Sequence, residues 1–323
     1  QDTLLAFIEA RKDSQGDAGN IDLLVKRSAD HGETWGPAIL VWDDENNTCG
    51  NPAPVVDQST GTIWLLLTWN LGSDHEGAIK AGTSKHPRHV FISSSIDDGN
   101  HWATPTRISS SARKDHWRWY ATGPGNGIQL TRGPHKGRLV IPCNHSDHSN
   151  KDLHPYRSHI VYSDDNGKQW KIGAIQPEKT NESAVAELSN GGVLQSMRSY
   201  HGKHNRAMAI SNDGGSTFAE VYLDNALQTP VCQGSILRYS FSNKGNGILL
   251  HSNPAGTGRD HLTISMSPDD GKTWPWQKVI YAGGGAYSNL VRLPTGQVGI
   301  LFEKDNYQTV SFTTFSINWI KSK

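Results

Sequence analysis

Acidic, imidazole and thiol side chains are the groups with which this chain could hold a metal or activate a nucleophile, and their spacing separates the possibilities. Aspartate recurs in the frame Ser-x-Asp-x-Gly-x-Thr-Trp: Ser28, Asp30, Gly32, Thr34 and Trp35; then Ser95, Asp97, Gly99 and Trp102; then Ser163, Asp165, Gly167 and Trp170. The last two copies are Ser211, Asp213, Gly215, Thr217 and Phe218, then Ser267, Asp269, Gly271, Thr273 and Trp274. Asp, Gly and Thr together also build calcium loops. The trailing aromatic and the recurrence point instead to a structural turn, in which Asp and Ser bond nearby amides and Gly takes the left-handed conformation. His145, His148, His154 and His159 invite a metal reading, but their spacing fits no helical or hairpin ligand pattern. The three cysteines, Cys49, Cys143 and Cys232, are odd in number and far apart, which excludes a disulfide framework and a close-spaced zinc pair and leaves buried free thiols. Neither a metal nor a cofactor is expected.

Such turns join antiparallel strands. The aspartates are separated by 67, 68, 48 and 56 residues, a spacing suited to four-stranded propeller blades with variable loops. Dividing the 323 residues by a period of about 55 predicts an all-β, six-bladed β-propeller. Short apolar or alternating runs support it: Ile21 to Lys26, Ile63 to Thr68, Val90 to Ser94, Gly137 to Pro142, His159 to Tyr162, Ala184 to Leu188, Gly247 to Leu250 and Val298 to Phe302. Repeat architectures run past ordinary domain size as one unit, so residues 1–323 are read as a single domain. The 31 basic and 31 acidic residues cancel, which removes any global field for nucleic acid or an anionic membrane. No apolar run is long enough to span a bilayer, and Gln1 opens no signal sequence.

Between the turns the chain resembles the sialidase (neuraminidase) superfamily, of the bacterial exo-α-sialidase type with Asp-box repeats. The phrases that carry the resemblance are Phe7-Ile8-Glu9-Ala10-Arg11, Ile21-Asp22-Leu23, Gly50-Asn51-Pro52, Trp119-Tyr120-Ala121-Thr122-Gly123-Pro124-Gly125, Asn181-Glu182-Ser183, Met197-Arg198-Ser199 and Ala286-Tyr287-Ser288. The resemblance implies a retaining exo-α-sialidase acting on terminal sialic acids of glycoproteins, glycolipids and oligosaccharides. Arg198 and Arg259 match the second and third members of the family's arginine triad, suited to bidentate binding of the substrate carboxylate. Tyr287 matches the nucleophile; a neutral phenol is not repelled by that carboxylate, and tyrosine sialidases are an exception to the two-carboxylate rule of glycosidases. Glu182 matches the base that a phenol with a pKa of about 10 requires, with a simple salt bridge to an arginine as the alternative. Glu187, five residues on in the same strand, falls on the opposite face by alternation and serves as an internal control. Asp13, Asp17 and Asp22 lie where the family places its acid/base aspartate, and Asp17-Ala18-Gly19-Asn20-Ile21-Asp22-Leu23 makes Asp17 the match. Arg11 resembles an arginine near the substrate carboxylate, with an ion pair to one of these aspartates as the alternative. Trp119 and Tyr120 are candidates to line glycan subsites, with core packing as the alternative for the Trp-rich segment.

The family's first triad arginine lies on an Arg-Ile-Pro strand ahead of the segment matching Leu4 to Arg11, and no Arg-Ile-Pro occurs here. The sequence reading therefore expects a longer natural protein, with Val310 to Ile317 as the strand that closes the propeller. A trans-sialidase, a hydrolase of a related nonulosonic acid and a non-catalytic sialic-acid-binding propeller are the alternative readings. Sialoglycans are mostly extracellular, so a secreted or periplasmic protein is expected.

Overall fold

The computed structural model describes residues 3–147, 155–242 and 247–322, so His148 and His154 lie outside the described residues. The chain divides into two compact units, residues 1–129 with 137–178, and residues 130–136 with 179–323.

In the first unit, β1 (Leu4–Arg11), β2 (Ile21–Ser28), β3 (Ile39–Trp42), β4 (Thr48–Val56), β5 (Ile63–Asn70), β6 (His89–Ser95) and β7 (Thr106–Arg107) belong to one seven-stranded sheet. A five-stranded sheet follows, from β8 (Trp117–Thr122), β9 (Ile128–Gln129), β10 (Leu139–Asp147), β11 (Tyr156–Ser163) and β12 (Lys171–Glu178). The second unit holds a four-stranded sheet of β13 (Thr180–Glu187), β14 (Val193–Ser199), β15 (Asn205–Ser211) and β16 (Tyr222–Gln228). Another four-stranded sheet comprises β17 (Ser235–Ser240), β18 (Ile248–Pro254), β19 (Leu262–Ser267) and β20 (Trp276–Tyr281). The last sheet has three strands, β21 (Ser288–Arg292), β22 (Val298–Lys304) and β23 (Thr309–Phe315). Three short helices, α1 (Glu76–Ala81), α2 (Ser109–Ala112) and α3 (Ile317–Lys321), complete the described elements. None of the described helices is long and apolar enough to cross a membrane.

The all-β class stands, but the six-bladed count is corrected. Four separate blade-like antiparallel sheets and one seven-stranded sheet replace the six equal blades expected. A parallel bridge between Ile21 and Thr48, with Ile21 N–H donating to Asn47 O at 3.1 Å, joins the strands around the first two Asp turns into one sheet. Dividing length by period estimates the number of repeats and is blind to such a bridge. The run Val310 to Ile317 is also not all strand: Ser316 caps α3, its Oγ accepting from Trp319 N–H, and β23 pairs with β22.

Each Asp turn uses the same bonds. The serine hydroxyl donates to the aspartate and accepts the glycine N–H, as for Ser163 with Asp165 at 2.8 Å and Gly167 at 2.9 Å. The aspartate also accepts the amide four residues on, at 2.8–3.0 Å in every copy. The residue before each glycine is left-handed too, from φ 56 at Asp98 to φ 66 at Gly214. At Gly167, with φ 84, an added Cβ would lie 2.2 Å from the Trp64 ring, so the position has room only for hydrogen. The aspartates' lone pairs are thus spent on their own turns, and each turn joins two strands adjacent in one sheet, as Ser211 to Phe218 joins β15 to β16 and Ser28 to Trp35 joins β2 to β3.

Apolar strand faces form the cores within each unit. Leu66, Val90, Tyr120, Leu139, Ile141 and Val161 meet between the first two sheets. In the second unit Ala186, Leu194, Met208, Leu249 and Trp274 form one cluster, and Leu250, Ile264, Leu290, Ile300 and Phe302 another. Cys49, Cys143 and Cys232 are free and buried.

Candidate active site

In the second unit, Glu182 on β13, Arg198 on the adjacent β14 and Tyr287 immediately before β21 converge. The Tyr287 hydroxyl donates to Glu182 Oε1, and Arg198 Nη1 donates to Glu182 Oε2 at 2.8 Å and to Tyr287 Oη at 3.4 Å. β13 shifts register against β14 between Thr180 and Ser183, and this irregularity brackets Glu182. Asn181 Oδ1 accepts the Glu182 N–H at 2.7 Å, and Glu303 Oε2 accepts the Tyr287 N–H at 2.9 Å.

Burial, then the neighbouring Glu182 carboxylate, holds the Tyr287 phenol well above its ordinary value, while Arg198 opposes both. The tyrosine is therefore neutral, and its hydroxyl donates to the Glu182 carboxylate. Burial works against the Arg198 charge, but Glu182, Tyr287 and Tyr200 together outweigh it and the guanidinium is held above its usual value. Arg198 Nε is buried with no partner among the described residues, a donor left over for a ligand.

Arg259 precedes β19, and its Cζ lies 6.0 Å from the Tyr287 ring centroid. Nη2 donates to Val231 O and Nη1 to Tyr307 Oη, both at 3.2 Å, and Arg259 O accepts the Gly285 N–H at 3.0 Å. The buried Arg206 braces the same loop, donating from Nη1 to Cys232 O at 2.7 Å. Glu187 has separate partners: Thr131 N–H and Oγ1, and Arg132 N–H at 2.7 Å. It closes a loop and touches none of the groups around Tyr287.

In the first unit, Arg11 ends β1 and pairs with Asp17 Oδ1 at 2.9 Å, the ion pair kept open as its alternative role. The Asp17 side chain is 64% exposed, whereas Asp22 is buried and paired with Lys12 Nζ at 2.7 Å, and Asp13 accepts the Asn20 N–H at 3.4 Å. Asp13 and Asp17 are both exposed, and Asp22 alone of the three is buried. Trp119 is nearly buried, with Arg88 Cζ 4.1 Å from its ring centroid. Tyr120 is fully buried and its hydroxyl engages His159 Nε2 at 3.0 Å, so it packs in the core and lines no surface. His145 and His159 contact each other through Nδ1 at 3.0 Å and pack on Trp117 in the core.

Sequence reasoning passed over Arg88, Glu303, Tyr307 and Glu9. Glu9 carried a readable signal, since it sits two residues before Arg11 on the same strand and so on the same face. The other three meet their partners across separate strands and loops, which no local pattern reports.

Residues 2–300 match the family model described as a BNR repeat-like domain. The chain is 32% identical over 329 residues to a sialidase of Micromonospora viridifaciens, covering 98% of this chain and 50% of that protein. It is 31% identical to a sialidase of Bacteroides fragilis, covering 93% of this chain and 57% of the relative. With an exo-alpha-sialidase of Aspergillus fumigatus it shares 30% identity over 351 residues, covering 98% and 81% of the two chains. The chain thus spans about half the length of the first two of these relatives. Among solved structures, the Hadza microbial sialidase Hz136 superposes with a TM-score of 0.86 at 29% identity, covering 99% of this chain and 64% of that one. The intramolecular trans-sialidase from Ruminococcus gnavus gives a TM-score of 0.82 at 18% identity, a likeness of fold alone, covering 100% and 93% of the two chains. The family model spanning nearly the whole chain and the fungal relative together establish that the chain belongs to the sialidase superfamily.

Proposed function

We propose that the chain is a retaining exo-α-sialidase that hydrolyses terminal sialic acids of glycoconjugates through a covalent sialyl-tyrosine intermediate. The observation that carries this reading is the three-way contact of Tyr287, Glu182 and Arg198. Arg198 and Arg259 bind the substrate carboxylate as charge-assisted donors. Tyr287 Oη attacks the anomeric carbon while its proton passes to Glu182, so no free phenolate has to form in the buried site. The glycosidic C–O bond breaks as Asp17 protonates the departing oxygen. In the second half, Asp17 takes a proton from water, the water oxygen attacks the same carbon, and the Tyr287 C–O bond breaks as Glu182 returns its proton.

The test is turnover of an aryl α-sialoside, with the first-formed anomer of the released sugar followed by proton NMR. The α-anomer supports two displacements at one carbon. The β-anomer as first product contradicts a covalent intermediate, and binding of sialosides without turnover by the folded chain points to a sugar-binding protein.

A further inference from the structure

The Asp17 segment is gathered by a single side chain. Arg11 Nη1 donates to Gln15 O at 2.7 Å and to Gly16 O at 3.1 Å and pairs with Asp17 Oδ1 at 2.9 Å. The other edge of the same guanidinium is held by Glu9, whose Oε2 accepts from Arg11 Nε at 3.1 Å and from Nη2 at 2.7 Å. Glu9 is fixed in turn: its Oε1 accepts the Asn51 N–H at 2.8 Å. Asn51 is left-handed at φ 51 and lies where β4 shifts register against β5, which turns its amide out of the ladder. Gly50 completes the seat, because an added Cβ there would lie 2.4 Å from Glu9 Oε1. Two independent features of β4, the displaced amide and the missing side chain, thus receive the Glu9 carboxylate.

One guanidinium is thereby shared by two carboxylates. Glu9 holds the far edge of the guanidinium and so keeps the near edge aimed at the loop that carries Asp17. We propose that Glu9 is a positioning residue for the acid/base step, acting through Arg11 on the placement of the Asp17 carboxyl. The proposal rests on the sialidase reading above, with Asp17 as the group that protonates the leaving oxygen.

The consequence is a dependence on the leaving group. A 4-methylumbelliferyl sialoside departs as a stabilised phenolate and needs little protonation, whereas the galactoside of sialyllactose departs as an alkoxide and needs much. Steady-state kcat/KM for both substrates is to be measured for the full chain, Glu9→Gln, Gly50→Ala and Asp17→Asn, with thermal unfolding of each as the check on folding. Gly50→Ala leaves the chemistry of Glu9 intact and only pushes the far end of its flexible side chain out of its seat. Both Glu9→Gln and Gly50→Ala are expected to lose roughly tenfold to a hundredfold on sialyllactose, the worth of one charge-assisted bond, and several times less on the aryl substrate. Equal losses on the two substrates would show a general structural role and overturn the proposal, as would wild-type rates on both. Asp17→Asn separates this from the parent reading: if it shows no selective loss on sialyllactose, the assignment of Asp17 falls, and the role of Glu9 falls with it.

Discussion

Exchanging Glu182 for glutamine keeps the shape of the side chain and removes one charge, so it isolates what that charge contributes. Arg198 Nη1 lies 2.8 Å from Glu182 Oε2, and the two side chains are 16% and 11% exposed. A buried ion pair that loses one partner costs about 3–5 kcal/mol. Here a rim of solvent remains and the amide oxygen still accepts from Arg198, so the expected loss of stability is smaller, about 1.5–3 kcal/mol. The catalytic loss is larger, because the amide cannot take the phenol proton: kcat should fall by about a hundredfold to ten-thousandfold. Glu187→Gln is the matched comparison. Its carboxylate accepts from Thr131 and Arg132, so the glutamine amide would set N–H against N–H there, costing about 2–4 kcal/mol of stability with kcat little changed. The assays are initial rates on an aryl α-sialoside and guanidinium unfolding of each variant. Glu182→Gln with near wild-type kcat, or Glu187→Gln with the larger catalytic loss, would refute the assignment of the base.

Three further outcomes follow from the geometry. Gly167→Ala places a methyl against Trp64 at a left-handed position and should cost about 2–4 kcal/mol in guanidinium unfolding, and a cost near zero would contradict the turn geometry. Burial pushes Cys143 and Cys232 up to about 12 and raises Cys49 as well, so Ellman's reagent should modify none of the three in the native protein at neutral pH and all of them after denaturation. Burial also lowers His159 to about 3 and His89 to about 4, and holds His145 and His251 well below the ordinary value of 6.5. These imidazoles are neutral in the fold, so the unfolded chain binds more protons below about pH 6.5: stability is full above that pH and falls as pH drops toward the folded values, by at most about 1.4 kcal/mol per unit for each histidine. Unfolding free energies measured from about pH 4 to 7 should show this slope, and His159→Asn should flatten it; an unchanged slope would contradict the assignment.

What the sequence made legible was local. Each Asp turn is a contact between residues at most four apart, so Ser163, Asp165 and Gly167 announce both the turn and the strands it joins. The bridge from Ile21 to Thr48 is a single non-local pairing, and it was enough to turn the expected equal blades into a seven-stranded sheet. Tyr120 misled because five of the six side chains of β8 are buried, so alternation could not show which aromatic faces solvent. Glu182 and Glu187 were separable, since five positions along one strand send two carboxylates to different partners. Tyr307, by contrast, reaches Arg259 from a loop 48 residues away, and nothing in either segment alone reports that contact.

The central claim is a covalent bond to Tyr287, and trapping tests it most directly. Incubation with a 2,3-difluorinated sialic acid, whose second fluorine slows the departing step, followed by digestion and mass spectrometry, should place one fluorosialyl group on the peptide that contains Tyr287. That label should disappear in Tyr287→Phe. A label on Glu182 or any other side chain, or turnover in Tyr287→Phe equal to wild type, would contradict the account.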